Sequence, residues 1–563
     1  MRHAGKDIKA ILLEFRGAFL AILVMSALVN MLALTGSFYM LQVYDRVLTS
    51  HSVPTLIAFS MLAACLYVFQ GVLDVLRAQI LVRIGIEVDK KAMPIAHETL
   101  LKLPLYGAST TDARRPVRDV EKMRSFLGSQ GPIAIFDLPW MPLYLVFVYI
   151  LHPWLGILAT AGLLVLITLT FFTEQLNRGL NANITQLANR RAALADTNAG
   201  NAEVLRAMGF CHRATRRFGR VNAEYLNIQT KSSDIGGGLS GISRVFRMLL
   251  QSAVLGLGAY LTLQGEVTAG AIIAASIATS RAFAPIELAI SHWKSFVSAR
   301  QAFMHLQKTV AALPSPSAPL ELMAPADSLT LEKVTAPIPG TQHLILHNIS
   351  FCLTTGDGLG VIGQSGSGKS TLARVITGIW PLARGAVRLD GADIDRWPAA
   401  YFRDHIGYLP QSISLMDGTI AENISRFAPN AEATDIICAA KAANVHELIL
   451  RLPEGYETRL AQGGSSLSAG QCQRIALARA LYRDPFLVVL DEPNSNLDTE
   501  GDAALTKALE GVCERGGIAV VIAHRPSALH ALNKVAVIRD GQLASFGPKH
   551  EILRDTLVRQ NQS

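Results

Sequence analysis

The chain has 563 residues, half of them hydrophobic and only 17% charged, with a mean hydropathy of +0.30; this excludes a string of soluble domains and fits a polytopic membrane protein carrying one. The net charge of +8 would suit nucleic-acid binding, but much of the excess lies in loops flanking apolar spans, so it is read as membrane topology in a lipid bilayer, with no nucleic-acid partner. Six cysteines (Cys65, Cys211, Cys352, Cys438, Cys472, Cys513) show no ligand spacing, so neither a disulfide framework nor a zinc site is expected.

The basic N-terminus, MRHAGKDIKAILLEFRG, precedes an uncharged run too long for a signal peptide and without an Ala-x-Ala cleavage site. It reads as a retained first membrane helix. No Lys, Arg, Asp or Glu occurs in the 28 residues between Arg16 and Asp45, nor in the 27 between Arg46 and Asp74. Each run can cross a hydrocarbon core of about 30 Å, which needs about 20 helical residues. A third uncharged run, the 36 residues 138–173, is interrupted by His152 and Pro153. It predicts spans three and four as a hairpin with a very tight outer turn.

Asp137 stands at the start of that run, in IAIFDLPWMPLY. It reads as an interfacial cap at the inner end of the third span, before Pro139; a functional ionisable group within the span is the alternative. The last two spans are the apolar runs on either side of Gln264–Thr268, which supplies their outer turn, and Arg244, Arg247 and Arg281 lie near their inner ends. Residues 83–130 hold nine Lys and Arg and residues 174–236 nine more, against the single Arg46 in the outer connections. Both long loops and both termini are therefore cytoplasmic. The loops are expected to be helical extensions of the spans, two arms that each end in a turn. Helix six is expected to end near Trp293, and the proline-rich stretch 310–328 to be a linker.

Beyond the linker, short apolar strands alternate with helical stretches, which predicts an α/β domain with a largely parallel sheet. The strand-like LGVI leads into GQSGSGKS, residues 363–370, and then into a helical TLARVITGI. In this strand–loop–helix setting, Gly363, Gln364, Ser365, Gly366, Ser367, Gly368 and Thr371 line a phosphate-binding loop for ATP. Lys369 neutralises the β and γ phosphates, and the Ser370 hydroxyl ligates Mg2+. A second strand, FLVVLDE, ends in two carboxylates: Asp491 to hold the metal through water and Glu492 as the general base for the attacking water.

Between these motifs, LSAGQ at 467–471 resembles the signature sequence of the ATP-binding-cassette (ABC) proteins. The resemblance implies two cassettes paired head to tail in a homodimer, with ATP between the phosphate loop of one copy and Ser468, Gly470 and Gln471 of the other. Gln411 in YLPQ resembles the glutamine loop that senses the metal, Asp498 in NSNLD the dimer-contact loop, and His524 in VIAHRP the switch histidine. Three positions depart from the family. Ile338 falls where an adenine-stacking aromatic is common, Ala469 replaces the first signature glycine, and Cys472 stands where arginine is usual. Cys472 is read as a neutral substitution, with a reactive thiol the alternative.

In the N-terminal half MLQVYDRVL, LDVLRAQILVRIG and FDLPWMPLY, and in the motor GYLPQSISLMDGTIAENISRF and LDEPNSNLD, resemble type I secretion exporters of the protease-exporting branch, with no room for an N-terminal peptidase-like domain. That implies export of an unfolded protein with a C-terminal secretion signal from the inner membrane of a Gram-negative bacterium, with a periplasmic membrane-fusion adaptor and an outer-membrane channel as partners. A lipid or drug exporter of the same architecture and a regulatory or channel-type cassette protein are the alternatives. The reading is thus a multi-domain membrane protein: an all-α transmembrane domain of six helices over residues 1–309, a linker over 310–328, and an α/β P-loop nucleotide-binding domain over 329–563.

Overall fold

The computed structural model describes residues 8–313, 323–397, 404–460, 467–523, 529–552 and 554. Residues 314–322 of the expected linker, and His524, lie outside them. The chain divides into two compact units, Met1–Lys102 with Ser109–Leu313, and Pro314–Ser563 with Leu103–Ala108.

The first unit is helical. Its long helices are α1 (Arg16–Leu32), α2 (Val53–Lys102), α3 (Met141–Leu151), α4 (Pro153–Gly200), α5 (Cys211–Leu263) and α6 (Ala269–Ala312). Among the described residues five helical stretches are long and apolar enough to cross a membrane, and the first turns of α4, Pro153–Leu169, form a shorter apolar one. The predicted hairpin is present: α3 and α4 are separated by His152 alone, whose Nδ1 accepts a hydrogen bond from the Trp154 N–H at 3.3 Å and caps α4. Both long loops are the expected helical arms. α2 descends to Lys102 and returns through Arg115–Leu127, while α4 and α5 form the other pair around a short helix, Ala202–Ala207.

Two expectations are overturned here. α6 does not end near Trp293 but runs on to Ala312, because no proline or glycine interrupts residues 286–312 and Ala299, Ala302, Leu306 and Val310 recur every three or four residues on a buried face. Nor does Asp137 act as a cap, since its side chain makes no capping bond. Its Oδ1 instead accepts from Arg77 Nη1 at 2.6 Å and from Asn30 Nδ2 at 2.9 Å. Around this pair, Arg77 Nη1 also donates to Ser26 Oγ at 2.8 Å, Arg77 Nη2 to Asp74 Oδ1 at 2.7 Å, and the Tyr144 hydroxyl to Asn30 Oδ1 at 2.9 Å. The cluster joins three spans, because a charge removed from water has to find its partner inside the protein. At the outer end, Asp45 accepts from the Gly270 N–H at 3.0 Å and from Thr268 Oγ1 at 2.7 Å, tying the first span to the start of α6.

Among the described residues the second unit holds two large sheets and a two-stranded one, Gly418–Thr419 with Arg459–Leu460. β1 (Ser328–Pro337), β2 (Leu344–Thr354), β4 (Arg384–Leu389) and β5 (Ala392–Asp393) form an antiparallel sheet in the order β2-β1-β4-β5. β3 (Gly358–Ile362), β6 (Ile406–Leu409), β7 (Leu487–Asp491), β8 (Ile518–Ile522), β9 (Lys534–Arg539) and β10 (Gln542–Pro548) form the other, in the order β10-β9-β3-β8-β7-β6. All neighbours in it are parallel except β9 and β10. Both faces are covered, which is why its strands read as unbroken apolar runs. Leu487 and Val489 of β7 pack with Ile518 and Val520 of β8 into a core shared with the antiparallel sheet. The alternate residues Val488, Leu490, Ala519 and Val521 pack against Ile475, Ala476 and Ala480 of the helix that carries LSAGQ.

Candidate active site

The phosphate loop, Asp491 and Glu492 stand at the carboxyl ends of parallel strands, where open α/β sheets bind ligands. β3 runs into the loop 363–368 and then α7 (Lys369–Ile376); β7 ends at Asp491; β6 precedes Gln411. β8, whose continuation carries His524 outside the described residues, lies between β3 and β7.

The loop needs its glycines. Gly368 sits at φ +100°, left-handed for an L-residue, and a Cβ on Gly363 would lie 2.2 Å from the Ile538 carbonyl oxygen. The turn closes over Lys369, which is 5% exposed and donates its Nζ to the carbonyls of Gly363 at 2.9 Å and Gln364 at 2.8 Å. Burial pushes the Lys369 ammonium below its ordinary pKa, while the charges of Glu492 and Asp491 act against that shift. Ser365 and Gly366 are exposed at the crest, and Thr371 is buried on α7.

Ser370 Oγ donates to Asp491 Oδ1 at 3.2 Å. Asp491 is 1% exposed and its Oδ2 has no hydrogen-bond partner; in the phosphate loop the Ser367 Oγ is likewise buried and unpartnered. Burial raises the Asp491 carboxyl above its ordinary pKa; the Ser370 hydroxyl opposes this and Glu492 reinforces it. A buried carboxylate with a spare oxygen beside a hydroxyl is an oxygen donor set that fits a hard divalent cation such as Mg2+. Glu492 follows at φ +53°, a conformation unfavourable for a residue with a Cβ, and its N–H donates to the Ile522 carbonyl at 3.0 Å.

The signature forms the start of α8 (Ala469–Leu481). Ser468 caps it, accepting from the Gln471 N–H at 3.3 Å, while Gln471 Oε1 accepts from the Ser468 N–H at 2.9 Å. This capping box leaves the Ser468 hydroxyl proton free to donate outward. Among the described residues, no hydrogen bond joins 467–471 to the phosphate loop of the same chain. Asp498 starts α9 (Thr499–Glu514): its Oδ1 accepts from the Gly501 N–H at 2.9 Å and from Arg474 Nη2 at 2.6 Å. These contacts, the backbone amide foremost, hold the Asp498 carboxyl below its ordinary pKa. Ile338 lies in the β1–β2 turn and is partly buried, and burial raises the Cys472 thiol, the opposite of activation.

Sequence reasoning brought together the phosphate loop and the β7 carboxylates, which the structure joins through Ser370 and Asp491. It missed Gln473, buried next to the signature, because a glutamine in an amphipathic helix carries no signal of its own.

Comparison with known proteins agrees with this geometry. The ABC transporter family pattern matches residues 346–495, and the ABC transporter transmembrane region residues 19–283. The chain is 48% identical over 557 residues, 98% of its length, to the type I secretion system ATP-binding protein PrsD of Rhizobium meliloti, of which it covers 95%. The chain belongs to the type I secretion branch of the ABC transporters. As an ABC transporter it binds ATP and is an ATPase embedded in a membrane. It is also similar to the cyclolysin secretion/processing ATP-binding protein CyaB of Bordetella pertussis, at 29% identity over 94% of this chain and 75% of that one. The leukotoxin translocation ATP-binding protein LktB of Mannheimia haemolytica is 26% identical over 97% of this chain and 77% of that one. A bacterial Atm1-family ABC exporter with ATP bound shares its fold, with a TM-score of 0.83, 24% identity and 96% coverage of each chain.

Proposed function

We propose that this transporter exports an unfolded protein bearing a C-terminal secretion signal across the inner membrane of a Gram-negative bacterium. It does so as a homodimer, working with a periplasmic membrane-fusion adaptor and an outer-membrane channel. The observation that carries this reading is the near-complete alignment with PrsD through both the membrane half and the motor; the motor motifs alone would serve any cargo. In the same reading the membrane domain covers residues 1–309 and the cassette 329–563.

ATP binds with its phosphates in the loop 363–368, where the backbone amides and the start of α7 favour anionic oxygens. Lys369 then exchanges its own loop carbonyls for phosphate oxygens. Ser370 and Asp491, with Gln411, would hold Mg2+, which would supply screening of the phosphate charge. Ser468, Gly470 and the first turn of α8 approach the γ-phosphate from the second copy, and Asp498 lies in the loop that meets it. Ile338 flanks the base, where an isoleucine offers apolar contact rather than stacking. Glu492 takes the proton of the attacking water and His524 contacts the γ-phosphate, so that ATP closes the pair of cassettes and hydrolysis reopens it.

The test is to compare proteins secreted by cells with and without this gene. The reading expects one or a few proteins to disappear from the medium, and transplanting the C-terminal segment of such a protein onto a carrier to restore its export. An unchanged set of secreted proteins, together with ATPase activity stimulated by lipids or hydrophobic drugs, would replace it with a lipid or drug exporter.

A further inference from the structure

One face of α8 grips the loop that follows the general base. Gly470, Gln473 and Arg474 stand at positions i, i+3 and i+4, so they share a helix face. Gly470 approaches so closely that a Cβ there would lie 2.9 Å from the Asn496 carbonyl oxygen. Gln473 is 1% exposed; its Nε2 donates to the Pro493 carbonyl, and its Oε1 accepts from the Asn496 N–H at 3.0 Å. Arg474 donates to Asp498 Oδ1, the oxygen that also caps α9.

The grip begins one peptide beyond Glu492, at the Pro493 carbonyl. A left-handed backbone at a residue with a Cβ persists only where its surroundings hold it. On one side of Glu492 its N–H is bound to the Ile522 carbonyl; on the other, the next carbonyl, that of Pro493, is bound to Gln473. A primary amide supplies both donor and acceptor groups from a single planar unit. Among the side chains on this face, Gln473 alone holds the loop backbone at two points.

We propose that Gln473 is a positioning residue for ATP hydrolysis, which carries the placement of the signature turn to the general base Glu492. Resting on the paired-cassette reading above, the two ends of this link serve different nucleotide sites. The signature of a copy closes on its partner's ATP, whereas Glu492 acts on the copy's own. The base of one site is thus held by the helix whose signature serves the other.

The test uses the full-length protein in lipid nanodiscs. Gln473→Met keeps the volume of the side chain and removes both hydrogen bonds; Gln473→Glu keeps the acceptor for the Asn496 N–H and loses the donor to Pro493. The proposal expects kcat of Gln473→Met to fall on the order of 100-fold, as a displaced catalytic group does, with KM and equilibrium ATP binding within about twofold of wild type and the melting temperature nearly unchanged. Gln473→Glu falls between the two. A kcat within about twofold of wild type overturns the proposal, and so does a loss of kcat matched by equal losses of ATP affinity and melting temperature, which would mark a merely structural glutamine. In mixed dimers that carry Lys369→Ala in one copy, Gln473→Met lowers turnover more when it shares a chain with the intact phosphate loop than when it sits on the other copy; the reverse order overturns the direction of the link. Loss of all ATP binding by the wild-type protein would instead strike at the motor assignment itself.

Discussion

Asp491 in the cassette and Asp137 in the membrane unit are both buried carboxylates, and they are held in opposite ways. Asp491 has one light contact, with Ser370, and a buried oxygen with no partner. Asp137 is bound by Arg77 and Asn30, and those two are bound in turn by Ser26, Asp74 and Tyr144. Of that group only Arg77 Nε is buried without a partner. Hydrogen-bonding capacity left over in a buried site is capacity reserved for a ligand, while capacity used up among side chains holds helices together. The cassette is therefore organised around something that arrives, and the inner ends of the first three spans around one another.

That contrast can be broken most sharply at Glu492. Glu492→Gln is expected to lower ATP turnover by about 100- to 10,000-fold, the usual worth of a positioned base, while ATP binding in an equilibrium assay persists; turnover near wild type would remove Glu492 from its role. In the membrane unit, Asp137→Ala leaves the Arg77 charge with Asp74 alone and is expected to cost up to about 3–5 kcal/mol of stability, read from thermal unfolding in detergent. The double variant Arg77→Met with Asp137→Leu should recover most of it; if it does not, the pair does more than bind the spans together. Lys369→Ala should weaken ATP binding by about 10- to 100-fold, the worth of a charged hydrogen bond, and leave the melting temperature of the nucleotide-free protein almost unchanged. The smallest effect is expected at the outer end, where Asp45→Ala removes an acceptor from the first turn of α6 and costs about 1 kcal/mol.

The same contrast explains what was legible in the sequence. A phosphate loop and a strand ending in Asp–Glu are local strings, because the backbone geometry that cradles a phosphate is built from consecutive residues, and so loop 363–368 and the β7 carboxylates could be read directly. The hairpin at His152–Pro153 was readable for the same reason. The partner of Asp137 was not, since Arg77 is 60 residues away in the chain and only packing brings the two together. Asp45, which reaches across to the start of α6, is a similar case. The end of α6 at Ala312 was not legible in the same way, since no local motif marks it and the small and apolar residues that keep the helix packed recur past Trp293. Gln473 was invisible because its two bonds go to backbone atoms, which no side-chain pattern records.

The central claim, that each ATP is shared between the phosphate loop of one copy and the signature of the other, is tested most directly by complementation. One copy carries Lys369→Ala and the other Ser468→Arg, so that each homodimer lacks an intact site. Mixed dimers hold one site with an intact loop and an intact signature, and the account predicts that ATPase activity returns on mixing. Mixed dimers as inactive as either parent, or a Ser468→Arg homodimer as active as wild type, would contradict it.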